Sequence, residues 1–220
     1  EFWGTDDADV NSSPQWLVGA GKAGMIAVWN TNGVQTAGTN GRDELCSNDH
    51  ETTDINPAMA WKAHGGRWVA DVKCLQGSSP TNSAPTRLVS AANDGTVCLW
   101  DLTSVSIPTG APKLLHGTGT KGLHSSGIFC MDVQKSNDTG TSSSWVLCTG
   151  SKDKSIAVST LHSMTIGSNG EPLWRSNFHS AKVGSVKLKN GSRGVLASAS
   201  DDGLVALHDY RQNGANESAV

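Results

Sequence analysis

Residues Leu88–Asp101 read LVSAANDGTVCLWD. A short apolar run leads into the polar turn Asn93-Asp94-Gly95, and a second apolar run follows. That is the pattern of a β-hairpin, because Gly accepts a positive φ at little cost. The same pattern returns without a gap in LVGAGKAGMIAVWN (Leu17–Asn30), LCTGSKDKSIAVST (Leu147–Thr160) and LASASDDGLVALHD (Leu196–Asp209). The turns there are Lys22-Ala23-Gly24, Lys152-Asp153-Lys154 and Asp201-Asp202-Gly203. A segment that superimposes on the chain in this way marks a repeat architecture.

Outward from the hairpins, three of the units carry a further strand candidate, each placed just after a His. Ala63-His64 precedes Trp68–Leu75, Leu123-His124 precedes Ile128–Val133, and Phe178-His179 precedes Val183–Leu188. Before each His lies another short candidate, at 58–62, 113–116 and 173–177. This makes four strands per unit, and no segment shows sustained helical periodicity. The fold class is therefore all-β.

The arrangement of His, then Asp-Gly, then Trp-Asp resembles the WD-repeat family of β-propellers. The resemblance runs over about residues 16–211, and its best copy spans His64 to the Trp100-Asp101 pair. It implies an arc of about four four-stranded blades, at 16–62, 63–116, 123–177 and 178–211, with 212–220 as a polar tail. It also implies a hydrogen-bonded tetrad of His, Ser or Thr, Asp and Trp in each blade. The second unit has all four members, His64, Ser90, Asp94 and Trp100. The third has His124, Thr149 and Asp153, with Ser159 in the Trp position. The fourth has His179, Ser198 and Asp202, with His208 in that position. The first keeps Trp29 but has Gly19 and Ala23 where Ser and Asp are expected.

The turn positions 24, 95, 154 and 203 lie 71, 59 and 49 residues apart, against roughly 40–45 for such a repeat. The surplus is polar insertion, at 31–57, 76–86, 103–112, 134–144 and 162–172. The first unit shows no clear inner strand and the last no outer strand after Arg211. The reading expects a piece of a larger propeller, or an arc completed by other chain segments.

Composition narrows the function. Apolar residues are 36% and charged residues 17% of the chain, with net charge -3. A packed core is feasible, and wholesale clamping of a nucleic-acid backbone, which needs a Lys/Arg excess, is not expected. Cys46, Cys74, Cys98, Cys130 and Cys148 include no Cys-x-x-Cys pair, and four of them stand in apolar runs. That favours free thiols in a reducing, intracellular compartment, cytoplasm or nucleus. No apolar run is long enough for a membrane helix. His50, His116 and His162 are scattered, so no metal or other cofactor is expected.

Each His, Ser/Thr and Asp set also matches the parts of a hydrolase triad. Repetition weighs against catalysis, since an enzyme needs one such set and three are present. The Ser also lies in a strand rather than on a Gly-x-Ser-x-Gly elbow. Lys182, Lys187 and Lys189, between Arg175 and Arg193, could form an acid-binding patch, but their alternation with Val186 and Leu188 reads better as a solvated strand face.

The resemblance implies a protein-binding scaffold with other proteins as partners. Candidate contact residues lie on the face that carries the tight turns: Arg67, Trp68, Asn93, Lys152 and Asp201. A finer alternative rests on His208-Asp209-Tyr210-Arg211. This is similar to the Trp-Asp-x-Arg box of substrate receptors of cullin–RING ubiquitin ligases, and would make Asp209 and Arg211 the contacts for a ligase adaptor.

Overall fold

The computed structural model describes residues 16–30, 56–75, 86–103, 112–118, 123–136, 145–161, 172–189 and 194–211, with the backbone of 217–219. Four antiparallel sheets follow one another along the chain. Sheet one holds β1 (Trp16–Ala20), β2 (Met25–Asn30) and β3 (Met59–Lys62). Sheet two holds β4 (Val69–Leu75), β5 (Arg87–Ala92), β6 (Val97–Asp101) and β7 (Lys113–Gly117). Sheet three holds β8 (Ile128–Lys135), β9 (Trp145–Ser151), β10 (Ile156–Leu161) and β11 (Trp174–Ser176). Sheet four holds β12 (Val183–Leu188), β13 (Val195–Ser200), β14 (Val205–Asp209) and β15 (Glu217–Ala219). The only helical element among the described residues is the single 3-10 turn His64–Gly66. None of their helices is long and apolar enough to cross a membrane.

Strands are paired in chain order within each sheet, so every connection is a simple reversal. The four aligned hairpins are β1–β2, β5–β6, β9–β10 and β13–β14. Sheet one has three strands among the described residues, without an inner one. At the other end the sequence expectation needs correction. Glu217–Ala219, within the segment read as a polar tail, pairs with Ala206–His208 and supplies sheet four with its outer strand. Glu217, Ser218 and Ala219, after a Gly-containing link, carry too little apolar signal to be read as a strand alone. Most of the polar insertions, with Cys46, His50 and His162, lie outside the described residues.

The core lies between sheets rather than within one, because each strand alternates its side chains between two faces. Val18, Ile26 and Val28 of sheet one meet Leu88, Cys98 and Trp100 of sheet two. Val89, Ala91, Val97 and Leu99 on the opposite face of sheet two meet Ile128, Met131 and Leu147 of sheet three. Cys148, Ile156 and Val158 then meet Val183, Val186 and Leu196 of sheet four. Each interior sheet is covered on both sides, which is why β5, β6, β9 and β10 are buried almost throughout. Aromatic pairs reinforce two of the joints: Trp61 packs edge-on against Trp100, and Trp174 against His208, each with ring centres 5.7 Å apart.

Polar contacts also cross the joints. Asp71 of β4 accepts the Met131 amide of β8 at 3.0 Å, and Asp132 of β8 accepts the Leu188 amide of β12 at 2.9 Å. Burial pushes the Asp71 carboxyl up to about 6, despite the opposing pull of that amide. The first two hairpin turns meet the next sheet too. The Gly24 carbonyl accepts the Ala63 amide at 2.7 Å, and the Gly95 carbonyl accepts the Leu123 amide at 3.0 Å.

Gly95 has φ +81 and no room for a side chain, since a Cβ there would stand 2.5 Å from the His124 carbonyl oxygen. Gly203 has φ +84 at the equivalent turn of sheet four, and a Cβ there would meet nothing within 4 Å. Gly203→Ala should therefore cost only the left-handed penalty of ~1–2 kcal/mol. Gly95→Ala must also displace the His124 loop and should cost at least about 1 kcal/mol more. Urea unfolding of both variants measures the difference, and equal losses would show that the joint does not press on Gly95.

Candidate functional site

A buried imidazole has two ring nitrogens to satisfy, and three of them organise this molecule. In sheet two, His64 Nε2 lies 2.8 Å from Ser90 Oγ, which also accepts the Trp100 indole N–H at 2.8 Å. His64 Nδ1 is 3.9 Å from Asp94, too far for a direct bond. Thr96 closes the gap, with its hydroxyl 2.8 Å from His64 Nδ1 and 2.6 Å from Asp94 Oδ1. Burial lowers the pKa of His64 despite the nearby Asp94, so the ring is held neutral.

Sheet three repeats the arrangement with His124. Its Nε2 is 2.8 Å from Thr149 Oγ1, and its Nδ1 is 3.2 Å from Asp153 and 2.9 Å from Ser155 Oγ. Ser155 donates to Asp153 at 2.6 Å. Burial works against the ionised Asp153, yet bonds from His124 and Ser155 hold its carboxyl well below the usual carboxylate range. Ser159, in the Trp position, is buried with its hydroxyl unpartnered among the described residues. In sheet four, His179 joins Ser198 at 2.7 Å and Asp202 at 2.9 Å. His208 fills the Trp position and keeps the bond, its Nε2 2.8 Å from Ser198 Oγ.

Thr96, Ser155 and Arg175 were not singled out from the sequence. Thr96 and Ser155 each stand two residues after the turn Asp, and that shared offset was the available signal. Arg175 of β11 bonds Ser155 Oγ at 2.9 Å and also the Leu123 carbonyl, so it ties the outer strand to the His loop. Its distance in sequence from both partners left no pattern to find.

These sets could not accept a substrate as they stand. Ser90 and Thr149 are fully buried and Ser198 nearly so, and a reacting carbonyl must approach the nucleophile closely. Cys98 lies 3.8 Å from His64 Nδ1, but burial pushes its thiol up to about 12, far from a nucleophilic thiolate. The four described cysteines are all free. No cluster of His, Cys, Asp or Glu suited to a metal occurs among the described residues.

The tetrads support a rim of turns and His loops. Amides of Asn93, Lys152 and Asp201 bond the carbonyls of Trp68, Gly127 and Lys182, the residues at the mouths of the inner strands. Each inner strand then breaks register at the same place, between Val69 and Asp71, Ile128 and Cys130, and Val183 and Ser185. A bulge re-aims the extra side chain. In sheet three that residue is Phe129, which meets Trp68 edge-on at 5.7 Å, while Lys182 lies over the Phe129 ring at 4.8 Å. Lys182 is in turn paired with Asp201 at 3.1 Å. Trp68, Phe129, Lys182 and Asp201 thus form one ladder across three sheets. Arg67 and Lys152 are exposed beside it, and the Asn93 side chain reaches across to Gly127.

Asp209 and Arg211 sit at the opposite end of sheet four. Arg211 Nε donates to Asp209 Oδ1 at 2.8 Å and its Nη2 donates to Oδ2. Asp101 caps the equivalent turn of sheet two, accepting the Thr103 amide at 2.8 Å and its hydroxyl at 2.5 Å. Lys182, just before β12, pairs with Asp201, and Lys187 of β12 pairs with Asp132 at 3.4 Å. This suits a solvated strand face rather than a bare anion patch.

Residues 56–101 match the family model described as WD domain, G-beta repeat. This match supports assignment to the WD-repeat family, and the four antiparallel sheets form an arc of that propeller architecture. No curated protein matches the chain. WD repeats generally mediate protein–protein interaction.

Asp153→Asn tests whether the tetrad carboxylates act as charged acceptors. A depressed carboxyl pKa contributes stability that is complete above its unfolded value and lost as the pH falls below about 4. The variant should lose about 1–3 kcal/mol at neutral pH. Its melting temperature should then vary less than that of the wild-type chain as the solution is acidified. Parallel acid profiles in thermal melts followed by circular dichroism would refute the ionic role.

Proposed function

Taking the WD-repeat match as premise, we propose that this chain is an intracellular protein-binding scaffold without catalytic activity. Its partner seats on the rim of turns and His loops. The ladder of Trp68, Phe129, Lys182 and Asp201 carries the reading. It places aromatic area and charge on a surface held by three blades at once, with Arg67 and Lys152 exposed at its flanks. Half-buried aromatic residues and Arg are the types that dominate binding energy at interfaces. Burial of the tetrad hydroxyls and the raised thiol of Cys98 support the absence of catalysis, and the free cysteines support a reducing compartment.

Affinity capture with the chain as bait, compared with Trp68→Ala and Lys152→Glu, tests the rim. Proteins retained by the wild type should be lost from both variants, with melting temperature unchanged in Lys152→Glu. Partners retained equally by all three would place the binding surface elsewhere.

A second reading makes the chain a substrate receptor of a cullin–RING ubiquitin ligase. The observation that favours it is the forked Asp209–Arg211 pair, which holds an exposed guanidinium in fixed orientation at a strand end. A planar fork of donors suits a carboxylate or carbonyl of an adaptor. Co-precipitation of the ligase adaptor by the wild type, lost in Arg211→Ala at unchanged melting temperature, is the expected result. Absence of adaptor from the wild type, or its retention by the variant, would leave Asp209 as the turn cap that Asp101 is in the second blade.

A further inference from the structure

The rim holds cations that its ladder does not use. Lys22 stands on the turn of blade one, Lys152 and Lys154 on that of blade three, and Lys62 and Arg67 flank the His loop of blade two. All are exposed, and none makes an ion pair with a described residue. The first group gathers at one seam. The Gly21 carbonyl beside Lys22 accepts the Val69 amide at 3.3 Å, and a Cβ on Gly66 would stand 2.5 Å from the Lys62 Cε, so that chain runs over the loop ending in Arg67. The Lys152 amide bonds the Gly127 carbonyl at 2.9 Å, one seam further on.

The acids of the turns, by contrast, are engaged. Asp94 accepts the amide and hydroxyl of Thr96, and Asp153 accepts from His124, Ser125 and Ser155. Asp202 is bonded to His179 and the Ser180 amide, and Asp201 to Lys182. The whole chain is negative, at -3, so this uncommitted positive charge is a local concentration. Lys154 adds a backbone observation. Blades one, two and four have Gly24, Gly95 and Gly203 at its turn position, all at positive φ, and Lys154 takes φ +73 there. A side chain is strained in that region. Here the strain displays an exposed ammonium that bonds no described residue, which gives it no use inside the fold.

We propose that the rim selects its partner by charge, taking an Asp/Glu-rich segment of another protein along the cations of blades one to three, with Trp68 as the apolar contact beside them. This rests on the reading of the rim as a protein-binding surface and names the chemistry of what binds. Free cations around a partly desolvated aromatic residue steer an acidic partner in and fix its register. Asp94 and Asp201 are exposed among the cations. They disfavour the unbroken phosphate backbone of a nucleic acid, which needs a continuous basic stripe. Carboxylates on a peptide can be spaced to pass them.

The test is fluorescence anisotropy with the full chain and a labelled peptide of about ten residues, roughly 33 Å when extended, that alternates Glu with Gly around one central Trp. A control peptide has Gln in place of each Glu, and a third probe is single-stranded DNA of equal charge. The Glu peptide should bind, less tightly as salt is added, and the Gln peptide should not. Arg67→Glu and Lys152→Glu should each weaken binding about threefold or more, the worth of an exposed ion pair. Lys154→Gly separates contact from structure. Gly relieves the positive φ, so the melting temperature should rise while the peptide binds less tightly. Unchanged affinity in both Lys154→Gly and Arg67→Glu would overturn the proposal. A Glu peptide that binds no better than the Gln peptide, or less tightly than the DNA, would overturn it too. Protein capture on Trp68→Ala judges the rim separately. Proteins lost from that variant keep the rim as the binding surface even where the acidic peptide fails, and proteins retained remove the rim and this proposal with it.

Discussion

The bond between a buried imidazole and a strand hydroxyl sets the geometry of each complete blade. It is 2.8 Å long in blades two and three and 2.7 Å in blade four. It fixes the loop before the inner strand against the hairpin, and in blades two and three that loop is what the previous blade's turn glycine touches. Removing the bond would strand two polar groups in an apolar setting and also loosen the seam between blades. The hydroxyl of Ser90 serves two partners at once, since it lies between His64 and the Trp100 indole N–H. His208 shows that a ring nitrogen other than that of tryptophan can fill that place.

The hairpins were legible because their information is local. Period-two alternation and a polar turn suffice to place Leu88–Asp101 and its three companions. The His, Ser or Thr, and Asp positions were legible through the family resemblance, and the structure brings His124, Thr149 and Asp153 together as it does the sets around His64 and His179. What escaped notice depends on direction or distance. Thr96 looked like one more polar turn residue until its hydroxyl was seen between His64 and Asp94. Arg175 acts on Leu123 and Ser155 from a separate strand. The bulge that turns Phe129 toward Trp68 leaves no mark in residue type, and blades two and four have Ala70 and Gly184 at that point.

Two aspartates illustrate how position outweighs residue type. Asp71 sits in a seam among apolar neighbours, and burial dominates, raising its pKa to about 6. Asp153 is also shielded from water, but the hydroxyl of Ser155 and the ring of His124 both point at it, and its pKa falls. The first aspartate costs the fold something when ionised, while the second stabilises it only when ionised. Across a pH titration the seam and the tetrad therefore respond in opposite senses.

Repeat proteins approximate a row of units, each in contact only with its neighbours, so that heat or denaturant can open them one at a time. The ladder from Trp68 to Asp201 changes what a bound protein would mean for such a row. A ligand resting on all of it favours only those states in which blades two, three and four are simultaneously intact, and mass action then penalises every partly opened state. Occupancy of the rim is thus a staple. Where unbound blades would melt one by one, such occupancy would make them melt in a single cooperative transition.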